Sequence, residues 1–293
     1  MPDRGATKGG TTMRLADIKG RAAVLTAPDR AVDLAEASNG RFSPDIQLAY
    51  EQWDDAKAFA ATLDDSASTP VAAEDYGNPI PRPRQIYAIG LNYTAHAKES
   101  GFAVPDQPTV FTKFVTCLTG PTGEVALPPG DVDWEVELVA VIGKAADHVT
   151  VADAWDHVAG LTVGQDLSER VLQRSGPAPQ FSMAKSYPGF GPMGPVVVTP
   201  DEVPDRDDLE LGCLIDGEHV QRSRTSDLVF SVAELVAWLS AITPLLPGDI
   251  IFTGTPSGVG MGRKPQRFLK AGEELVTYIE GIGTMRHTFS GGA

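Results

Sequence analysis

The sequence has few cysteines, a deficit of basic residues and no long apolar run. Its two cysteines, Cys117 and Cys213, lack metal-binding spacing and predict reduced, buried thiols in a cytoplasmic protein. The net charge of -15 argues against a nucleic-acid-binding face and against attraction to an anionic membrane. The chain shows neither a bilayer-spanning run nor the apolar core of a secretory signal. It also lacks the Gly-x-Ser-x-Gly elbow of serine hydrolases and the Gly-Lys-Ser/Thr ending of a phosphate-binding loop.

The 293 residues, 42% of them hydrophobic, can form a substantial core. Residues 1–12 are rich in Gly and Thr and are predicted to be disordered. Apolar residues at helical spacing predict one amphipathic helix over residues 45–63. Prolines and small polar residues over 64–83 then indicate a boundary. We therefore predict a small N-terminal α/β domain at residues 1–80 and a catalytic domain at residues 81–293.

Beyond this boundary, Val- and Ile-rich runs punctuated by Gly and Pro predict mostly strands. Two helices are predicted among these strands, at 168–174 and 232–242. Strands and helices do not alternate one for one, which argues against a Rossmann fold and a TIM barrel. The expected fold class is α+β and rich in strands.

Three carboxylates are the most informative feature of the catalytic half. Glu135 and Glu137 are two apart in a predicted strand and therefore share one face. Side by side at the start of a buried strand, they would repel each other unless a cation lay between them, and hard Mg²⁺, Mn²⁺ or Ca²⁺ prefers such oxygen ligands. Asp166 ends the next predicted strand. The alternatives are a solvated sheet edge for the Glu pair and, for Asp166, a helix N-cap paired with Glu169.

Five ordered segments resemble the fumarylacetoacetate hydrolase family over residues 86 to about 287. They are GLNYTAH (90–96), DWEVELVAVIGK (133–144), QDLSERVLQ (165–173), AKSY (184–187) and GTPSGVG (254–260). The chain departs from the family pattern at Gln165, where Asn is usual, and at Pro188, where Asp is common. Both differences concern positions other than the three carboxylates and are expected to affect substrate choice.

The resemblance implies a mixed β-roll fold, a homodimer and a small anionic 2-oxo acid as substrate. It also implies that Glu135, Glu137 and Asp166 bind Mg²⁺ or Mn²⁺, with Ca²⁺ able to replace them in a crystal. His96 and Glu99 are three apart and would share a helix face, either as an incidental solvated pair or as an oriented general base. The family has a His and a Glu at matching positions on a mobile segment, which favours the catalytic interpretation.

Further roles follow from the same resemblance. Lys185 is expected to contact the substrate or its developing oxyanion. The predicted substrate-binding residues are Tyr93, Arg170, Gln173 and Thr255.

The predicted reaction is metal-dependent hydrolysis of a C–C bond in a 2,4-dioxo acid, giving pyruvate or a related 2-oxo acid and a carboxylic acid. Decarboxylation, isomerisation and hydration of a 2-oxo acid use the same enolate chemistry and remain alternatives. A non-catalytic protein that binds 2-oxo acids is a further alternative, which the intact set of predicted catalytic residues disfavours.

Overall fold

The computed structural model describes residues 12–292. The predicted disorder of residues 1–12 therefore falls, apart from Thr12, outside the described residues. Strands β1 to β18 span, in order, Arg14–Ile18, Arg21–Ala27, Arg30–Asp33, Thr69–Pro70, Ile86–Gly90, Thr109–Thr112, Leu118–Thr119, Thr122–Leu127, Val132–Asp133, Val136–Ile142, Val158–Gln165, Ser168–Glu169, Gly191–Val198, Glu210–Ile215, Glu218–Arg224, Ile250–Phe252, Glu274–Ile279 and Gly283–Gly291. Helices α1 to α7 span Leu34–Ala37, Ile46–Glu51, Trp53–Ala60, Thr94–Glu99, Arg170–Gln173, Phe181–Ala184 and Val232–Ser240.

Most strands form one large mixed sheet with β10 at its centre. Its order is β4-β3-β2-β1-β13-β11-β10-β16-β5-β6, and β7 pairs with β13. Strand β10 is antiparallel to β11 and β16, whereas β16 and β5 are parallel. A second sheet has the order β15-β14-β17-β18-β8. This strand-rich arrangement with few helices confirms the predicted fold class.

Two apolar clusters cover the two faces of strand β10. Leu138, Ala140 and Ile142 belong to the cluster shared with the second sheet. Val139 and Val141 belong to the other, which includes the apolar face of α2 and α3. Burial on both faces explains the unbroken apolar run of this strand. None of the described helices is long and apolar enough to cross a membrane.

The N-terminal strands extend the large sheet. Arg14, Leu15 and Ala16 of β1 pair with Val198, Val197 and Val196 of β13. The segment before Pro81 thus contains strands and helices, as predicted, and shares an apolar cluster with strands of the catalytic half. Its separation from residues 81–293 as a domain stays a prediction.

The single helix predicted over residues 45–63 is wrong, because Gln52 divides it into α2 and α3. Gln52 has φ -122° and ψ 34°, outside the helical region. The break leaves the rings of Tyr50 and Trp53 stacked 5.5 Å apart, and both residues are buried. Apolar periodicity alone continues through such a break and does not reveal it.

Burial of His287 predicts an acid-sensitive step in stability. Desolvation lowers the pKa of this imidazole from 6.5 to about 4, although its hydrogen bond with the Gly120 carbonyl raises it slightly. The unfolded chain therefore takes up a proton near pH 6.5, and the folded chain only near pH 4. Stability should fall as the pH drops through this window, by about 3 kcal/mol in total.

The variant His287→Gln tests this step. Glutamine can still donate a hydrogen bond to the Gly120 carbonyl, but it does not titrate. Urea unfolding at pH 7 and pH 4.5 should show a smaller acid-induced loss for the variant than for the wild type. Equal losses in the two proteins would show that His287 is not responsible.

Candidate active site

The three predicted metal ligands meet at one end of the central strands. Glu135 and Glu137 lie at the start of β10, and Asp166 directly follows β11, its antiparallel neighbour. One carboxylate oxygen from each lies within 4.8 Å of the others. All three residues are buried, at 5%, 1% and 0% exposure. The alternative of a solvated sheet edge is therefore wrong, because β10 is central and the Glu pair is enclosed.

The capping alternative for Asp166 is also wrong. The N-cap of α5 is Glu169, whose carboxylate accepts hydrogen bonds from the amides of Val171 and Leu172. Ser168 and Glu169 form β12, which pairs with β9, so the helix predicted at 168–174 shortens to Arg170–Gln173. Asp166 is consequently left free to turn toward the Glu pair.

Three buried cations surround these carboxylates. The Lys185 ammonium donates to Glu135 Oε2 at 2.7 Å and to Asp166 Oδ2 at 2.6 Å. Arg170 donates from Nη2 to Glu135 Oε1 at 2.7 Å and from Nε to Asp133 Oδ2 at 2.9 Å. Lys113 donates to Asp166 Oδ1 at 2.7 Å and to the backbone carbonyl of Lys185.

Glu137 is the carboxylate without a cationic partner. Its Oε2 accepts the Gly254 amide at 2.7 Å, and no ion pair within residues 12–292 includes it. Burial and the nearby charges of Asp166 and Glu135 raise the pKa of Glu137 well above its ordinary value. Burial would do the same to Glu135, but Lys185 and Arg170 outweigh it and hold the pKa of Glu135 below its usual range. Without a bound cation, Glu137 therefore favours its neutral, protonated form.

The carboxylates fit a divalent cation. Each oxygen of Glu135 and Asp166 accepts one hydrogen bond from a cation, and a carboxylate has about four acceptor positions, so ligand positions remain. A dication would favour the ionised form of Glu137, which has no cationic side chain beside it, and would neutralise its charge. An all-oxygen donor set suits Mg²⁺ or Mn²⁺ better than Zn²⁺.

A second feature is the His96–Glu99 pair of α4. His96 Nδ1 lies 3.0 Å from Glu99 Oε1. Glu99 also accepts the Gly258 amide, at 3.0 Å and 3.1 Å to its two oxygens. Gly258 has φ +109°, and a Cβ there would collide with the Val220 carbonyl oxygen, so this position of the loop requires glycine. Glu99 therefore contacts both the 254–260 loop and the imidazole of His96, and it can orient that ring.

One cavity joins the two features. Seven of the ten predicted site residues line it: His96, Glu135, Glu137, Arg170, Gln173, Lys185 and Thr255. Asp166 and Glu99 lie behind this surface, in contact with Lys185 and His96 respectively. Tyr93 is buried near Glu137, does not line the cavity, and has a hydroxyl without a hydrogen-bond partner among the described residues. Gln165 supports Glu135 from behind, accepting its amide at 2.8 Å.

Sequence reasoning missed three residues that hold the site together. Lys113 pairs with Asp166 from 53 residues away, and no local pattern marks it. Gln221 donates to Thr255 Oγ1 at 2.8 Å, which leaves the threonine hydroxyl proton free to donate elsewhere. Asp133 binds Arg170 and accepts the amides of Gly260 and Met261. Strand alternation extended back from Glu135 would have indicated Asp133.

Asp133 should be essential for stability as well as for the site. It is fully buried, so Asp133→Ala leaves the buried Arg170 guanidinium with fewer partners and should destabilise the fold by about 3–5 kcal/mol. Chemical unfolding measures the loss. Asp133→Asn, which keeps an acceptor for the loop amides, should lose less. Equal, small losses in both variants would contradict this role.

Comparisons with known proteins identify the family of this chain. The sequence model described as "Fumarylacetoacetate (FAA) hydrolase C-terminal" matches residues 85–290. The mitochondrial oxaloacetate tautomerase FAHD2A of Homo sapiens is 44% identical over 209 residues, 71% of this chain and 67% of that protein. A provisionally assigned HpcE protein from Mycobacterium smegmatis is 54% identical, with a TM-score of 0.91 over 96% of this chain and 100% of that chain. Maleylpyruvate hydrolase from Sphingobium sp. SYK-6, in complex with manganese(II) and pyruvate, is 30% identical, with a TM-score of 0.79 over 96% of this chain and 100% of that chain. The chain therefore belongs to the fumarylacetoacetate hydrolase family.

Proposed function

We propose that this protein is a divalent-metal-dependent enzyme that hydrolyses the C3–C4 bond of a 2,4-dioxo acid. The observation that carries the proposal is one small cavity lined by both the imidazole of His96 and the carboxylates of Glu135 and Glu137. A candidate general base and a candidate cation-binding cluster therefore face the same cavity. Binding of manganese and pyruvate by the Sphingobium relative supports a 2-oxo acid as the bound group.

Glu135, Glu137 and Asp166 would hold Mg²⁺ or Mn²⁺. Such a cation would supply positive charge that attracts the carboxylate of the substrate and favours negative charge on its 2-oxo oxygen. Lys185 adds a second positive charge on the same side, since Glu135 and Asp166 raise its pKa despite its burial and keep it protonated. Thr255, with its oxygen occupied by Gln221, can donate its hydroxyl proton to the substrate.

The His96–Glu99 pair supplies the base. If Nδ1 carries the proton donated to Glu99, Nε2 is left with its lone pair available. Nε2 would take a proton from water, the hydroxide oxygen would bond to C4, and the C3–C4 bond would break. The proton then passes from His96 to C3, which completes pyruvate, while C4 leaves as the carboxylic acid. Arg170, Gln173 and Tyr93 are proposed to position the substrate.

The curated relatives favour a second candidate. Tautomerisation of oxaloacetate is the activity in the name of the 44% identical human protein. It needs a proton to move between C3 and the 2-oxo oxygen but no attacking water, so the same His96–Glu99 pair could perform it. Decarboxylation, isomerisation and hydration likewise remain open.

A substrate panel tests the proposal. The loss of the enol absorbance of several acylpyruvates would be followed with Mn²⁺ and again with chelator, and pyruvate would be assayed with lactate dehydrogenase. Chelator-sensitive release of pyruvate and a carboxylic acid is the expected result. Oxaloacetate is the control substrate. A change in its enol absorbance without pyruvate formation indicates tautomerisation, whereas pyruvate formation from oxaloacetate but not from the acylpyruvates indicates decarboxylation. Either of these outcomes without acylpyruvate cleavage would overturn the proposal.

The homodimer and the cytoplasmic location stay predictions. The human relative is named as mitochondrial, and sedimentation of the purified protein would test the dimer.

A further inference from the structure

The cavity has a charged end and an apolar end. The charged end is formed by the carboxylates, Lys185, Arg170 and His96 described above. The apolar end is lined by Ile89, Phe102, Phe111, Phe181 and Met261. Leu91 belongs to the same apolar part of the lining, along which the tail of a 2-oxo acid with its head at the carboxylates would extend.

The aromatic wall begins directly beside the charged end. Phe111 on β6 and Phe181 at the start of α6 form an edge-to-face pair with ring centroids 5.5 Å apart. The Lys185 ammonium lies 5.1 Å from the Phe111 ring centroid. An atom of the tail near Lys185 would therefore also lie close to an aromatic surface.

The position of Phe102 is set by the end of helix α4. The Gly101 amide donates to the Lys98 carbonyl at 3.2 Å, and the Phe102 amide donates to the Ala97 carbonyl at 2.9 Å. With Gly101 at φ +78°, these bonds form a Schellman motif. The motif ties Phe102 to the same helix that carries His96, so the apolar wall and the base are built on one element.

The cavity offers no free cation for a second carboxylate. Within the described part of the chain, Arg170 and Lys185 are the only Arg or Lys residues that line it. All three nitrogens of the Arg170 guanidinium are bonded, to Asp133, Glu135 and Gln173. Lys185 is bonded to Glu135 and Asp166. At the apolar end, Ser100 contributes a buried hydroxyl without a partner among the described residues, which suits a neutral oxygen better than a charge.

We propose that the apolar end is a side-chain subsite, and that the substrate is a 2-oxo acid with an alkyl or aryl tail rather than a dicarboxylic acid. The inference rests on the proposed function only for the placement of the head group. A carboxylate tail would lose water without gaining a partner, whereas an apolar tail gains from leaving water. Phe102, Phe111 and Phe181 are thereby specificity-determining residues.

Two isosteric ligands test the subsite without turnover. The tail of 2-oxoglutarate ends in a carboxylate, and that of 5-methyl-2-oxohexanoate ends in an isopropyl group of similar shape. Calorimetry with Mn²⁺ present should give at least about ten-fold tighter binding of the branched monoacid. Phe102→Arg, at a 57% exposed position, should shift the ratio of the two dissociation constants about ten-fold or more toward 2-oxoglutarate. Ile242→Arg, 66% exposed and outside the cavity lining, is the matched control and should leave the ratio unchanged.

The outcomes separate this inference from the proposed function. Neither ligand has a 4-oxo group, so neither can undergo the proposed cleavage. If acylpyruvates are not hydrolysed but 5-methyl-2-oxohexanoate still binds more tightly than 2-oxoglutarate, the proposed reaction is wrong and the proposed subsite stands. Equal affinities, tighter binding of 2-oxoglutarate, or no binding of either ligand would overturn the subsite.

Discussion

Replacing His96 by alanine should lower kcat for 2,4-dioxo acid cleavage by about 10²- to 10⁴-fold, the usual contribution of a positioned general base. The imidazole lines the cavity and is oriented by Glu99, but it is not one of the three clustered carboxylates. Mn²⁺ affinity should therefore change little. Steady-state kinetics and Mn²⁺ calorimetry on the same preparation measure both quantities.

Two further variants give this prediction its controls. His148→Ala removes a 77% exposed imidazole that pairs with Asp147, and it should leave kcat unchanged. Glu99→Gln should reduce kcat less than His96→Ala, because glutamine can still accept a hydrogen bond but lacks the charge that stabilises a protonated imidazole. Full activity in the His96→Ala enzyme would exclude the assigned base.

Replacing Glu137 by glutamine should abolish Mn²⁺-dependent activity and yet stabilise the metal-free protein. Glutamine keeps an acceptor for the Gly254 amide and removes an acidic group whose ionisation is opposed by burial and by the charges of Asp166 and Glu135. In chelator, the variant should therefore melt at a higher temperature than the wild type. In Mn²⁺ the order should reverse, because only the wild type gains from binding. A hundred-fold excess over Kd stabilises by about 2.7 kcal/mol, or roughly 5 °C.

The reversal distinguishes a metal ligand from a residue that merely packs. Loss of Mn²⁺ affinity in Glu137→Gln should exceed the ~10- to 100-fold cost of losing a residue behind the ligands. Glu218→Gln, at a 67% exposed side chain, provides the matched charge control. If Mn²⁺ raised the melting temperature of Glu137→Gln as much as that of the wild type, Glu137 would not be a ligand.

The sequence was sufficient to predict the carboxylate cluster for a local reason. Alternation along a strand puts Glu135 and Glu137 on one face, and the apolar run that follows them places that strand inside a sheet. The end of the neighbouring strand left the capping alternative open for Asp166, and the family resemblance assigned it to the cluster. The His96–Glu99 contact is equally local, since residues three apart on a helix are neighbours.

The remaining features depend on long-range pairing. Lys113 reaches Asp166 only because β6 and β11 belong to one sheet, and β1 joins β13 across almost two hundred residues. The helix break at Gln52 accompanies the packing of the Tyr50 and Trp53 rings. The apolar periodicity of the sequence does not reveal this packing. Capping by Glu169 instead of Asp166 depends on the β9–β12 pair, whose partners are 35 residues or more apart.

The most direct test of the proposed hydrolysis is the fate of the water oxygen. Metal-stripped protein would be incubated with acetylpyruvate in H₂¹⁸O, with and without Mn²⁺, and the products analysed by mass spectrometry. The proposed reaction predicts equal amounts of pyruvate and acetate, formed only with Mn²⁺, and one ¹⁸O atom incorporated into each acetate. Faster keto–enol interconversion of a 2-oxo acid with no labelled acetate would contradict hydrolysis and assign His96 and the carboxylates to tautomerisation.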